Sequence, residues 1–191
     1  MFRHRSFLIV YASKLGHTRR IAVWIARELE RAGPAAEVVE VGGDLPRDVR
    51  EYSIVIAVSS VHFDRPSRPM VRWLEKHRSA LQRVPYEIVS VSLTAAAETT
   101  EARHVVERYS RPLAAAAGTE PVLCEHVAGA LQYTRYNVFT KTMVRRVARD
   151  RGLPTDVRSD VDLTDWAQLQ RFAARSIELV DALPVTVGVG R

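Results

Sequence analysis

Apolar residues along this chain alternate between two periods. Phe7-Leu8-Ile9-Val10-Tyr11 is an unbroken run with the length and the branched and aromatic content of a strand buried on both faces. Ile21, Ala22, Ile25, Ala26 and Leu29 then recur at helical spacing, and Gly33-Pro34 supplies a stop. Residues 36–41 alternate as a second strand, and Gly42-Gly43-Asp44 turns the chain. The stretch from Ser53 to Ser59 predicts a third, fully buried strand. A polar loop from Ser60 to Pro66 then leads to a helix around Met70, Trp73, Leu74 and Leu81. Tyr86 to Ser92 predicts a fourth strand, residues from about Thr100 to Ala117 a helix with Val105, Val106 and Tyr109 inward, and Pro121 to Ala130 a fifth strand. Strand and helix alternating over 191 residues predict an α/β fold, a parallel doubly wound sheet with right-handed crossovers.

Between the first strand and its helix lie Ser13, Lys14, Leu15, Gly16, His17 and Thr18. A helix N-terminus carries N–H groups without intrahelical partners and the positive end of the macrodipole, so it attracts a phosphate monoester. Ser13 and Thr18 add hydroxyls, and Gly16 admits close backbone approach. The segment lacks the Gly-Lys-Ser/Thr of a nucleoside-triphosphate loop and the triple glycine of a dinucleotide loop. It resembles the hydroxyl-rich loop with which flavodoxin-like proteins hold the 5′-phosphate of FMN. The plain alternative is a strand-turn-helix connection in which Ser13 and Thr18 only cap.

A flavodoxin-like sheet, order 2-1-3-4-5 between two helix layers, brings three loops to one crevice at the carboxyl ends of its strands. They are the Ser13–Thr18 loop, the loop of Ser60, Val61, His62 and Phe63 ending at Arg65, and the loop of Ser92, Leu93, Thr94, Ala95, Ala96 and Ala97 ending at Glu98. The first suits phosphate, and the other two suit a flat ring. His62, at the rim, is the one candidate for a proton relay, against the alternative of an ordinary exposed loop histidine.

Charge adds a constraint. A net charge of +6 favours acidic partners, but no nucleic-acid motif accompanies it, so nucleic acid is not expected. One cysteine, Cys124, allows no intrachain disulfide and no metal cluster, and suits a cytoplasmic setting. Arg3, His4 and Arg5 precede the first apolar run like the start of a signal peptide, but the run turns polar after Ala12. No stretch approaches the roughly 20 apolar residues of a membrane span. The expected organisation is one domain over residues 1–183, with an insertion at about 131–162 and a tail at 184–191.

The insertion is the most distinctive part. It runs through Gly129-Ala130-Leu131-Gln132-Tyr133-Thr134-Arg135-Tyr136, a basic helix from Val138 to Val147, the turn Gly152-Leu153-Pro154-Thr155-Asp156-Val157-Arg158, and Thr164-Asp165-Trp166 opening the last helix. In content and order these motifs resemble the flavodoxin-like, menaquinone-dependent protoporphyrinogen oxidases. The resemblance extends from Phe7 to about Leu183. It departs at Leu15, where the family loop often has an acidic residue, and at residues 93–97, which hold no basic residue.

The resemblance implies an FMN enzyme that oxidises protoporphyrinogen IX and passes electrons to menaquinone or ubiquinone. The three loops would then hold the cofactor, and Arg65, Arg68 and Arg135 are candidates for the substrate propionates. A basic surround favours the reduced, anionic flavin by Coulomb attraction, which suits an acceptor of electrons from an organic substrate. Two other functions remain open here: an FMN electron carrier or quinone reductase, and a non-enzymatic binding module. The helix at 138–149 is a candidate for docking on an anionic membrane surface at the inner face of the cell membrane, and a homo-oligomer is left open.

Overall fold

The computed structural model describes residues 5–97 and 99–182. Arg3 and His4, Glu98 at the end of the third loop, and the tail at 184–191 lie outside the described residues. The chain runs β1 (Ser6–Ala12), α1 (His17–Arg31), β2 (Ala35–Glu40), β3 (Ile54–His62), β4 (Arg65–Pro66), α2 (Arg68–Lys76), α3 (Arg78–Leu81) and β5 (Tyr86–Ser92). It continues through α4 (Thr100–Glu107), α5 (Ser110–Ala117), β6 (Leu123–Ala128), β7 (Ala130–Leu131), α6 (Val138–Asp150), β8 (Val161–Asp162) and α7 (Trp166–Ala182).

The main sheet has the order β2-β1-β3-β5-β6, all parallel, with β4 folded back on β3. This is the expected 2-1-3-4-5 arrangement of the five long strands. The central strands are apolar on both faces because each face is covered by helices. On one face Phe7, Ile9, Tyr11, Val58 and Val89 pack against α1 and α7, including Ile21, Ile25, Leu29, Leu169 and Phe172. On the other, Leu8, Val10, Val55, Ala57 and Ile88 meet Met70, Trp73, Leu74, Leu81 and Leu113. No helix among the described residues is long and apolar enough to cross a membrane.

Three local readings need correction. The expected loop at 60–66 is an antiparallel hairpin, with Val61 paired to Pro66 and His62 to Arg65. Its two-residue turn, Phe63-Asp64, has φ of 52° and 57°, the left-handed geometry that closes tight hairpins. The expected helix at 100–117 is two helices, because the Pro112 ring cannot pack over the carbonyl of Arg108 four residues earlier. The helix around Met70 to Leu81 is likewise divided, at His77.

After β6 the chain builds a small core of its own. Leu131, Tyr133 and Ala148 are fully buried there, with Leu93, Tyr136, Val144, Leu153, Val157, Val161 and Leu163 around them. The antiparallel pairing of β7 with β8 closes this unit beside the carboxyl end of the sheet.

Candidate functional site

β1, α1 and the turn between them define the first wall. Gly16 has φ of +89° and sets the chain for α1, and its N–H donates to Ser13 Oγ at 3.0 Å. Ser13 therefore accepts from within the loop and keeps its own O–H to donate outward. The first bond of α1 runs from the Arg20 N–H to the Gly16 carbonyl at 3.0 Å, so the N–H groups of His17, Thr18 and Arg19 have no intrahelical partner. Residues 13–18 contain no carboxylate, and Gly16 is exposed with no side chain. Such a turn suits an anionic monoester: it offers N–H donors without intrahelical partners and no like charge of its own.

The insertion grips this loop from two sides. His17 Nε2 lies 2.8 Å from Thr164 Oγ1, which itself donates to the Ala128 carbonyl at 3.0 Å. A carbonyl only accepts, so the Thr164 hydrogen is committed and His17 must donate from Nε2. Burial, more than any charge, lowers the His17 pKa, so the ring is neutral at pH 7. Arg20 pairs with Asp162 at 2.8 Å and lies over the Trp166 ring. Burial opposes ionisation of Asp162, but the hydrogen bond from the Thr164 N–H and the nearby His17 and Arg20 outweigh it and keep the carboxyl below its ordinary pKa. On the other flank Arg135 Nη1 donates to the Leu15 carbonyl at 2.9 Å.

The other two loops form the facing walls and are tied together. Asp64, in the hairpin turn, accepts from the Tyr109 hydroxyl, and that hydroxyl lies 3.1 Å from Thr94 Oγ1. Burial first, and Asp64 second, push the Tyr109 pKa up to about 12, so it remains a donor. With its neighbour pinned, Phe63 projects from the hairpin with 75% of its surface exposed. His62 is exposed beside it, and desolvation followed by the charge of Lys14 lowers its pKa. In the third loop Ser92 Oγ accepts from the Ala95 N–H at 3.1 Å, which winds Thr94–Ala96 into a 3-10 turn. Leu93 leans on the insertion core, while Ala95, Ala96 and Ala97 leave the backbone uncovered by long side chains. Ser60 and Val61 are buried at the end of β3, and Val61 packs with Val106 and Tyr109. Arg65 and Arg68 are exposed at the hairpin and the start of α2, with no ion pair among the described residues.

Arg135 thus stands with the phosphate-type loop rather than with Arg65 and Arg68. The sequence reading gave Asp162, Thr164, Asp64 and Tyr109 no role at the site. It had Tyr109 inward on its helix and Thr164 in the Thr164-Asp165-Trp166 motif, and neither signal speaks of a contact with Asp64 or His17.

A family model described as a flavodoxin domain matches residues 8–158, most of the chain. The chain belongs to the flavodoxin domain family. FMN is the cofactor that goes with this membership, and its chemistry is oxidoreduction. The chain is 29% identical over 174 residues to protoporphyrinogen IX dehydrogenase (quinone) of Escherichia coli strain K12, covering 91% of this chain and 96% of that one. It is 29% identical over 180 residues to the protein of the same name from Leishmania major, covering 93% of this chain and 77% of that one. Among solved structures, a flavodoxin from the domain Archaea superposes with a TM-score of 0.53 at 16% identity, covering 92% of this chain and 99% of that one.

Proposed function

We propose that this flavodoxin-family chain oxidises protoporphyrinogen IX and delivers the electrons to a quinone, menaquinone or ubiquinone. The observation that carries the reading is the 29% identity to the E. coli relative over 91% of the chain, a span that cannot leave out the insertion. When bound, FMN would supply two-electron redox chemistry, acceptance of an electron pair from the porphyrinogen and its donation to the quinone, three times over for the six electrons removed. The protein's part is to bind, orient and exclude water. The turn at 13–18 is suited to the phosphate, and the exposed Phe63 and the short-chained loop at 92–97 are suited to flank a ring while leaving room for a second flat molecule. Arg65 and Arg68, without acidic partners among the described residues, are placed to meet carboxylates at the mouth. His62, neutral at pH 7, is available to accept a proton released from substrate. Docking of α6 on an anionic membrane would bring the crevice near lipid-soluble quinone. The support is a helix that exposes 83% of Val138 and 78% of Phe139 beside Lys141, Arg145, Arg146 and Arg149.

An anaerobic assay that follows porphyrin fluorescence, with FMN-loaded protein and a quinone analogue, tests the function. Fluorescence should rise well above the uncatalysed rate, and Arg65→Gln with Arg68→Gln should raise KM more than they lower kcat. Flavin reduction by quinols with no gain in porphyrin fluorescence would transfer the chain to the quinone reductases.

A further inference from the structure

Arg135 is an arginine held in place before any ligand arrives. Its backbone follows the buried Tyr133, whose hydroxyl donates to the Pro154 carbonyl at 3.0 Å. Next to it, the Thr134 N–H and Oγ1 each reach the Asp160 carboxylate at 2.9 Å. The Arg135 N–H closes the turn on the Gln132 carbonyl at 3.0 Å. At the far end the guanidinium is anchored to the Leu15 carbonyl, and Nη1 lies 3.7 Å from the point where a Cβ on Gly16 would stand. A guanidinium has five N–H donors and no acceptor. The contacts to Leu15 use one of them, and no carboxylate pairs with Arg135 among the described residues. Of the other cations at the loop, Arg20 is neutralised by Asp162, whereas Lys14 and Arg19 are exposed, with no ion pair among the described residues. Arg135 differs from them in being tied by its guanidinium to the loop backbone without a carboxylate partner, and it comes from the insertion rather than from the sheet.

We propose that Arg135 is a phosphate-binding residue contributed by the insertion, and that through it the chain selects 5′-phosphorylated flavin over riboflavin. The inference rests on the flavin reading above and adds to it the source of the charge. A fork already ordered at both ends loses little rotamer freedom on meeting a dianion, so its charge-assisted hydrogen bonds count nearly in full. Binding is also reciprocal: whatever affinity the insertion adds to the phosphate, the phosphate adds to the docking of the insertion on the loop.

The test is quenching of flavin fluorescence on titration with FMN and with riboflavin, at low and high NaCl, for the wild-type chain, Arg135→Ala and Arg135→Lys. Arg135→Ala should lose about 10- to 100-fold in FMN affinity, the range of a charged hydrogen bond. It should keep the wild-type affinity for riboflavin and show a flatter salt dependence for FMN. Arg135→Lys should recover part of the loss. FMN, and not riboflavin, should slow tryptic cleavage within residues 135–151 of the wild type, and it should give no such protection to Arg135→Ala. Where riboflavin binds too weakly to titrate, the salt dependence for FMN and the protection decide. Equal weakening toward both flavins would make Arg135 a shaper of the loop and overturn the proposal, as would an unchanged FMN affinity and salt dependence. A wild-type chain that binds neither flavin would remove the flavin reading itself.

Discussion

Glu87 is a fully buried residue in β5, and its protonation state follows from its neighbours. Its carboxyl lies 2.7 Å from Ser176 Oγ, and Ser176 is also 3.0 Å from the Phe172 carbonyl. The single serine hydrogen has two acceptors to serve, Glu87 Oε2 and that carbonyl, and Glu87 Oε1 is buried with no partner, so the site favours a protonated carboxyl. Burial, only partly offset by Ser176 and Arg175, pushes its pKa up to about 8. The unfolded chain therefore ionises this carboxyl first, near pH 4.5, and stability falls as pH rises from there to about 8, then levels. At pH 7 the loss is roughly 3 kcal/mol. Glu87→Gln keeps a donor toward Ser176 and removes the proton equilibrium, so its urea midpoint should exceed that of the wild type at pH 8 and match it more closely at pH 5. Parallel pH curves for the two proteins would show that Glu87 does not titrate in this way. Nothing in the local pattern flags this residue: a glutamate inside a strand ordinarily faces water, and only the tertiary placement of Ser176 shows otherwise.

α6 shows what element-level patterns can and cannot tell. Its apolar residues, Val138, Phe139, Met143, Val144 and Val147, suggest one broad face, yet the structure divides them. Val144 and Ala148 reach the insertion core, whereas Val138 and Phe139 stand in solvent at the first turn. An exposed apolar tip with Lys141, Arg145, Arg146 and Arg149 along the helix has the character of an interfacial segment. Co-sedimentation with anionic vesicles at low salt is the expected behaviour. It should weaken at high salt and in the chain with those four residues changed to Gln, while Phe139→Ser should weaken it at both salt levels. Vesicle binding identical in all variants would place docking elsewhere. Other elements were legible to the extent that their signals are local. Pro112 marks the break between α4 and α5, but the β3–β4 hairpin has no Asn-Gly or Asp-Gly to announce it. The left-handed turn at Phe63-Asp64 is instead held from a distance, by Tyr109, 45 residues away, on Asp64.

For the molecule as a whole, the sheet order could be anticipated because apolar runs of strand length alternate with helical stripes, and crossover handedness leaves few topologies. The three loops followed from the same logic. The clamp of Arg135, Asp162 and Thr164 did not, since contacts across so many residues leave no periodic trace. The global pH dependence also lies at this scale. His17, His77 and His126 all have pKa values lowered, chiefly by burial, so the unfolded chain takes up protons first as pH falls below about 6.5. Below about pH 6.5 they lower stability as pH falls while Glu87 raises it, so Glu87→Gln should remove the alkaline loss of Tm up to about pH 8 and steepen the loss on the acid side. In Glu87→Gln, where the opposing contribution of Glu87 is gone, a flat Tm between pH 5 and 6.5 would contradict the histidine assignment. The grip of Thr164 on His17 also sets a schedule. The two residues lie 147 positions apart, so at ordinary rates of synthesis roughly 7–30 s separate their emergence from a ribosome. The first loop to be made is thus the last to be finished, and a nascent chain has no complete cradle to offer until nearly all of it has been translated.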